Sequence, residues 1–166
     1  NFGDNATGTG IIYVGGGNEK ETNAEISTGN IDIKAAGKGI EATMSKAAKS
    51  TLNITTGIIS TGNASAKGIK ISGTELATLE AGEKATTATV KTTLGETKGT
   101  GVEVTGAKNN IINVTLQDLS TKESSNTVVS GTGVKVTGAE NGEVTVKINQ
   151  QNLKVTGTGN LVDIQA

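Results

Sequence analysis

Short runs in which aliphatic and polar residues alternate recur along the whole chain. Clear examples are IINVTL at 111–116, VTVKI at 144–148 and NLKV at 152–155. Alternation with a period of two, rich in β-branched residues and bounded by Gly or Asn, is typical of β-strands with one buried face. The pattern therefore predicts an all-β chain.

Two segments have a composition that suits helices better. They are EATMSKAAKS at 41–50 and TELATLEAGEKA at 74–85. Each is too short and too isolated to define a helical repeat, which needs long stretches with apolar spacings of three and four. We interpret both as insertions at corners between strands, with room for one turn of helix.

One motif marks the start of each repeat. GTGVEVTGA at 99–107 returns as GTGVKVTGA at 131–139, and weaker copies start at residues 8, 37, 66 and 157, at intervals of 26 to 33 residues. Such a period indicates a solenoid, in which each repeat buries its apolar face only against its neighbours. With two or three strands in each repeat, the sequence predicts a right-handed parallel β-helix of five to six rungs, as a single domain over residues 1–166.

The motif also predicts which side chains face the core. Its fourth and sixth positions are aliphatic in nearly every copy, and we expect them to point inward. The fourth position reads Ile11, Ile40, Ile69, Val102 and Val134, and the sixth reads Tyr13, Ala42, Ile71, Val104 and Val136. The fifth position, between them, must therefore point to solvent.

The fifth position predicts a ladder of alternating charges. After Ile12 it reads Glu41, Lys70, Glu103 and Lys135. Equivalent residues in a parallel stack lie about 4.8 Å apart, so like charges would repel and alternating charges attract. Each exposed pair is worth only about 0–1 kcal/mol, so the ladder mainly favours the correct stacking register over a slipped one.

The amino-acid composition excludes most kinds of catalytic site. The chain has no Cys, no His and no Arg, and its aromatic residues are one Phe and one Tyr. Disulfides, thiol nucleophiles, imidazole bases and the common zinc sites are thus excluded, and the core must be aliphatic. Fifteen Lys against 16 acidic residues give a net charge of -1, which argues against nucleic acid as a partner. No apolar run is long enough to insert into a membrane.

The acidic residues predict no catalytic, metal or cofactor site. The four Asp, at 4, 32, 118 and 163, are scattered. A β-helical enzyme that degrades polysaccharide would need clustered carboxylates, and it stays an alternative together with a glycan-binding module like that of phage tailspikes. Ice binding, which needs stacked Thr-x-Thr pairs, ranks third. Four N-x-[ST] triplets, at Asn5, Asn53, Asn63 and Asn113, are expected by chance in a chain this rich in Asn and Thr.

The longest polar connections are the candidate partner-binding loops. They are GGGNEKETNA at 15–24 and QDLSTKESSN at 117–126. Loops on a rigid scaffold commonly carry recognition, although a solvated corner is the alternative for each. The candidate contact residues are Asn18, Glu19, Lys20, Glu21, Asp118, Lys122 and Glu123.

The degenerate G-x-G-[IV]-x-[IV] openings, the richness in Thr, Asn and Gly, and the lack of Cys resemble the passenger β-helix of type V autotransporters, surface adhesins and toxins of Gram-negative bacteria. The resemblance covers nearly all 166 residues. It implies a segment of a longer passenger, displayed at the outer membrane or secreted, that serves cell adhesion and virulence and stacks on further rungs. The GDSGS motif of the family's proteases is not present. The resemblance therefore implies a non-catalytic adhesin scaffold or stalk, with loop contacts to a surface protein or glycan.

Overall fold

The strands of the computed structural model follow the alternating runs of the sequence. Residues 7–17, 21–76, 79, 85–106, 109–119, 127–138 and 142–165 are described. They contain strands and no helix. The strands are β1 Thr9–Val14, β2 Asn23–Thr28, β3 Ile31–Ile33, β4 Lys38–Thr43, β5 Thr51–Thr61, β6 Lys67–Ser72, β7 Thr86–Thr97, β8 Thr100–Thr105, β9 Asn110–Leu116, β10 Thr127–Val129, β11 Thr132–Thr137, β12 Glu143–Ile148, β13 Leu153–Val155 and β14 Asn160–Gln165.

These strands stack in parallel as a β-solenoid of about five turns, which confirms the predicted fold class. The first face is a six-stranded sheet in the order β1-β4-β6-β8-β11-β14, so each turn contributes one motif strand. The remaining strands form an eight-stranded sheet that bends around a corner. In two turns a single long strand, β5 or β7, runs through this bend. In each of the other turns two shorter strands take the place of the long one, namely β2 and β3, β9 and β10, or β12 and β13.

The bent sheet provides two further outer surfaces. The second face consists of β2, the first halves of β5 and β7, β9 and β12, paired in that order. The third face consists of β3, the second halves of β5 and β7, β10 and β13. Five full turns followed by β14 account for the described strands.

The core consists of aliphatic columns between the three faces, as the motif predicts. Ile40, Ile69, Val102 and Val134 pair in successive strands of the first face and are completely buried. The sixth-position column is also buried, with Val136 only 3% exposed. At the β1 end the columns open to solvent, because Ile11 is 37% exposed and Tyr13 is only partly buried against the core.

Glycine at the third motif position follows from how narrow the solenoid is. A Cβ on Gly101 would lie 2.5 Å from Cδ2 of Leu94 and 2.7 Å from the carbonyl oxygen of Gly133. Gly39 would meet Ile31 and the carbonyl of Gly68 in the same way. These glycines lie inside strands and not at corners. Glycine is required here because side chains from the opposite strands, Leu94 and Ile31, come too close for a Cβ, and not because the chain turns.

The structure corrects the start of the last repeat. Asn160 pairs with Thr132 and Val162 with Val134, so the repeat begins at Gly159 and not at Gly157. Gly157 has a φ of 64° and belongs to the turn before β14. The GTG at 157–159 matches the motif by letter, but the buried alternation that sets the register begins two residues later.

The interpretation of 41–50 as an insertion was wrong for its first three residues. Glu41, Ala42 and Thr43 complete β4, and the corner covers residues 44–50 without a helix. Ala42 is completely buried between Tyr13 and Ile71, so strand pairing overrides the helix propensity of this segment. In the second segment residues 74–76, 79 and 85 are described, and none of them is helical.

Candidate functional site

The predicted charge ladder is present on the first face. Lys70 pairs in register with Glu41 on one side and with Glu103 on the other, and Glu103 pairs with Lys135. The corrected last repeat adds Asp163 beside Lys135. Five successive strands therefore carry charges of alternating sign in one column.

Glu41 is the most strongly paired member of this ladder. Its carboxylate accepts hydrogen bonds from Nζ of Lys38 at 2.8 Å and from Nζ of Lys70 at 3.3 Å. The hydrogen bond from Lys38 lowers the pKa of Glu41 below its ordinary value, partial burial opposes that shift, and Lys70 adds to it. Glu41 thus holds two strands of the face together as a carboxylate.

Glu103 forms its ion pair with Lys67, which lies diagonally across from it on the neighbouring strand β6. Nζ of Lys67 lies 2.7 Å from Oε2 of Glu103, and Glu103 is only 8% exposed. Lys135 has no ion pair within 4.0 Å among the described residues, although it is the register neighbour of Glu103. Lys38 and Lys67 were not predicted to join the ladder. Both lie in a KG pair at the second and third motif positions, where the copies starting at residues 8, 99 and 131 have TG.

The candidate loop residues are only partly within the described chain. Asn18, Glu19, Lys20, Lys122 and Glu123 lie outside the described residues. Glu21 is exposed, and its carboxylate accepts a hydrogen bond from Nδ2 of Asn23. Asp118 accepts the backbone N–H of Gln151 at 3.1 Å, so it holds the neighbouring turn in place.

The two loops belong to different corners of the solenoid. The first loop was predicted to cover residues 15–24, but Asn23 and Ala24 belong to β2, so residues 15–22 connect β1 to β2 in the first turn. Residues 117–126 connect β9 to β10 in the fourth turn. The first corner lies between the first and second faces, and the other lies between the second and third faces. The fold therefore does not unite Glu21 and Asp118 in one site.

The second face carries an array of polar side chains that was not predicted from the sequence. Its outward side chains read N-x-T on β5, T-x-K on β7, N-x-T on β9 and T-x-K on β12. Strand register aligns these triplets residue by residue into two rows. One row is Asn53, Thr89, Asn113 and Thr145, and the other is Thr55, Lys91, Thr115 and Lys147.

Two shallow grooves lie over this array, and they share Thr89. One groove, of about 290 Å³, is lined by Asn53, Thr55 and Lys91, together with Glu25 at its β2 end. The other, of about 200 Å³, is lined by Asn113, Thr115, Thr145 and Lys147. Together they form a track along the solenoid axis. The array could have been predicted from repeated triplets in the sequence, which are NIT at 53–55, NVT at 113–115, and TVK at 89–91 and 145–147.

Carboxylates are dispersed over the described part of the chain. Asp32 lies in β3, Asp118 follows β9 and Asp163 lies in β14, while Asp4 lies outside the described residues. Among the described residues, no three His, Cys, Asp or Glu side chains form a group that could hold a metal ion.

Comparison with known proteins adds no relative. The chain matches no family model, no curated protein and no solved structure. No helix in the described part of the chain has the length and apolarity that crossing a bilayer requires. Functional inference therefore depends on the solenoid and its surfaces.

Proposed function

We propose that this chain is a non-catalytic segment of a bacterial cell-surface autotransporter passenger, in which it serves as an adhesin scaffold. The observation that carries the proposal is the regular parallel stack, whose outward polar rows run along the axis over successive turns. Such a stack repeats the same outward positions from turn to turn, so its binding surface extends along the axis. The motif resemblance to passenger β-helices supports display at the cell surface.

The ends of the stack support a place among further coils. At the β1 end Ile11, an inward position, is 37% exposed, and at the β14 end Ile164, also an inward position, is 61% exposed. Exposed aliphatic side chains on unpaired edge strands are a liability that a neighbouring strand removes. We propose that additional coils of a parent chain cover both ends.

Adhesion of coated beads tests the scaffold proposal. Beads carrying the chain should adhere to cultured epithelial cells more strongly than uncoated beads do. In matched variants the loop at 15–22 or the loop at 117–126 is shortened, and circular dichroism confirms that β structure is retained. Loss of adhesion in a shortened variant would assign contact to that loop, and retained adhesion in both would assign it to the strand faces.

The alternative, a polysaccharide-degrading enzyme, is tested by an activity assay on the same purified chain. The intact chain is incubated with plant and bacterial polysaccharides, and the release of reducing ends or unsaturated products is followed. We expect no cleavage above the buffer control. Cleavage that scales with the concentration of the chain would overturn the non-catalytic proposal.

A further inference from the structure

We propose that the second face binds a linear anionic glycan with one carboxylate in each disaccharide, lying along the solenoid axis. This inference rests on the proposed function and specifies the ligand class of the scaffold. Its basis is the two-fold recurrence of one chemical unit. Asn53, Thr55, Thr89 and Lys91 form the first unit, and Asn113, Thr115, Thr145 and Lys147 form the second.

The spacing of the two units suits an extended glycan. Each unit covers two strands, so equivalent groups such as Lys91 and Lys147 are separated by two strand spacings, about 9.6 Å. This length is close to the disaccharide repeat of an extended β-linked chain. Lysines at this interval are therefore in step with a carboxylate on every second sugar.

The side chains of both units are available for a ligand. Lys91 and Lys147 are exposed, and neither has an ion pair among the described residues. The Asn and Thr side chains of the units also have no hydrogen-bond partner within the described part of the chain, in contrast to Thr51 and Asn23, which bond to each other at 2.7 Å. Asn amides and Thr hydroxyls suit sugar hydroxyls, and the ammonium groups suit carboxylates.

Acidic residues lie at one end of the track and beside it. Glu25 stands in the Asn and Thr row on β2, at the far end of the first groove. Glu143 stands at the start of β12, four residues before Lys147. The row that contains both lysines has no acidic residue: it reads Ser27, Thr55, Lys91, Thr115 and Lys147. An anionic chain would therefore follow that row.

Each unit should bind only weakly, and the affinity should rise with the length of the oligosaccharide and fall with salt concentration. The second face has no aromatic platform, so affinity must come from charge-assisted hydrogen bonds repeated along the track. Exposed charge pairs weaken as salt screens them, and two linked contacts bind more tightly than one. A ligand that spans both units should thus bind better than a disaccharide.

Titration with hyaluronan oligosaccharides tests the proposal, since their carboxylates recur once in each disaccharide. The variant Lys91→Gln with Lys147→Gln is compared with Lys34→Gln plus Lys154→Gln, which removes two exposed lysines away from the second face. We expect binding of a decasaccharide to weaken by about tenfold or more in the first variant and to stay unchanged in the second. The same oligosaccharide with its carboxylates reduced to alcohols should bind no variant measurably.

Each other result overturns the glycan assignment. Equal losses in the two lysine variants would show a diffuse charge effect, and equal binding of the reduced oligosaccharide would show that carboxylates are not recognised. Measuring bead adhesion to cells as well distinguishes failure of the glycan site from failure of the proposed adhesin function. Adhesion without hyaluronan binding overturns only the glycan assignment, whereas hyaluronan binding without adhesion overturns the adhesin function and supports the glycan site.

Discussion

The side-chain amide of Gln150 makes two hydrogen bonds with the backbone of Leu94, 56 residues away in sequence. The N–H of Leu94 donates to Oε1 at 2.7 Å, and Nε2 donates to the carbonyl oxygen of Leu94 at 2.7 Å. Beyond Leu94, β7 meets β10 only at the pair of Thr97 and Val129 in the described register. Gln150 thus hydrogen-bonds to the β7 backbone between the part of β7 that pairs with β9 and the part that pairs with β10, and it is itself 6% exposed.

Replacing Gln150 by Leu should destabilise the solenoid. The N–H of Leu94 would be buried without an acceptor, which costs about 1–3 kcal/mol, whereas its carbonyl would keep a hydrogen bond from Oγ1 of Thr127. Urea denaturation should therefore show a loss of that size in the free energy of unfolding. The control is Gln151→Leu, an exposed neighbour, which should change it by less than about 0.5 kcal/mol. Similar losses in both variants would contradict the proposed role of Gln150.

An aspartate in the sixth-position column should disrupt the stack. Val136→Asp places a carboxylate at a site that is 3% exposed between Val104 and Ile164. An unpaired charge there should cost several kcal/mol or force the carboxyl to stay protonated. Thr137→Asp, one residue further and facing outward, should be tolerated. A thermal melting temperature of Val136→Asp equal to that of Thr137→Asp would refute the inward assignment.

Glu103 should couple more strongly to Lys67 on the diagonal than to Lys135, its register neighbour. A double-mutant cycle of Lys67→Gln with Glu103→Gln should give a coupling of about 0.5–1 kcal/mol, because the two side chains are in contact. The cycle of Glu103→Gln with Lys135→Gln should give less, since no ion pair joins them. Both couplings should shrink in 1 M salt. A larger coupling for the pair of Glu103 and Lys135 would contradict the geometry.

Acid should remove the stabilisation that Glu41 gains from its lysine partners, first from Lys38 in the same strand and then from Lys70 in β6. Its pKa is lowered in the folded chain, first by the hydrogen bond from Lys38, so protonation favours the unfolded state. The stabilisation is fully present above the ordinary carboxyl pKa and is lost as the pH falls through the lowered value. Unfolding free energies of the parent and of Lys38→Gln should therefore differ at neutral pH and converge in acid. Lys34→Gln should leave the pH profile unchanged, and a constant difference between the parent and Lys38→Gln would refute the linkage.

Much of the fold could be predicted from the alternation of residues within each strand. A shift of one residue exposes every buried side chain, so GTGVEVTGA and GTGVKVTGA dictate which residues face inward and which align. The register of Glu41, Lys70, Glu103 and Lys135 was predicted for this reason and is confirmed. The start of the last repeat was misplaced because Gly157 resembles a motif glycine while the aliphatic column begins later.

What the sequence by itself determined is the local pattern of each coil: strands, inward columns and a narrow interior that requires glycine. Only the tertiary structure decided which residues of different coils meet. The corners vary in length, so sequence separation did not show that Asn53 aligns with Thr89 and Asn113, or that Gln150 reaches Leu94. Lysine side chains are long and flexible, so Glu103 pairs with Lys67 on the diagonal and not with its register neighbour Lys135. Those choices depend on side-chain reach across neighbouring strands, which no one-dimensional pattern contains.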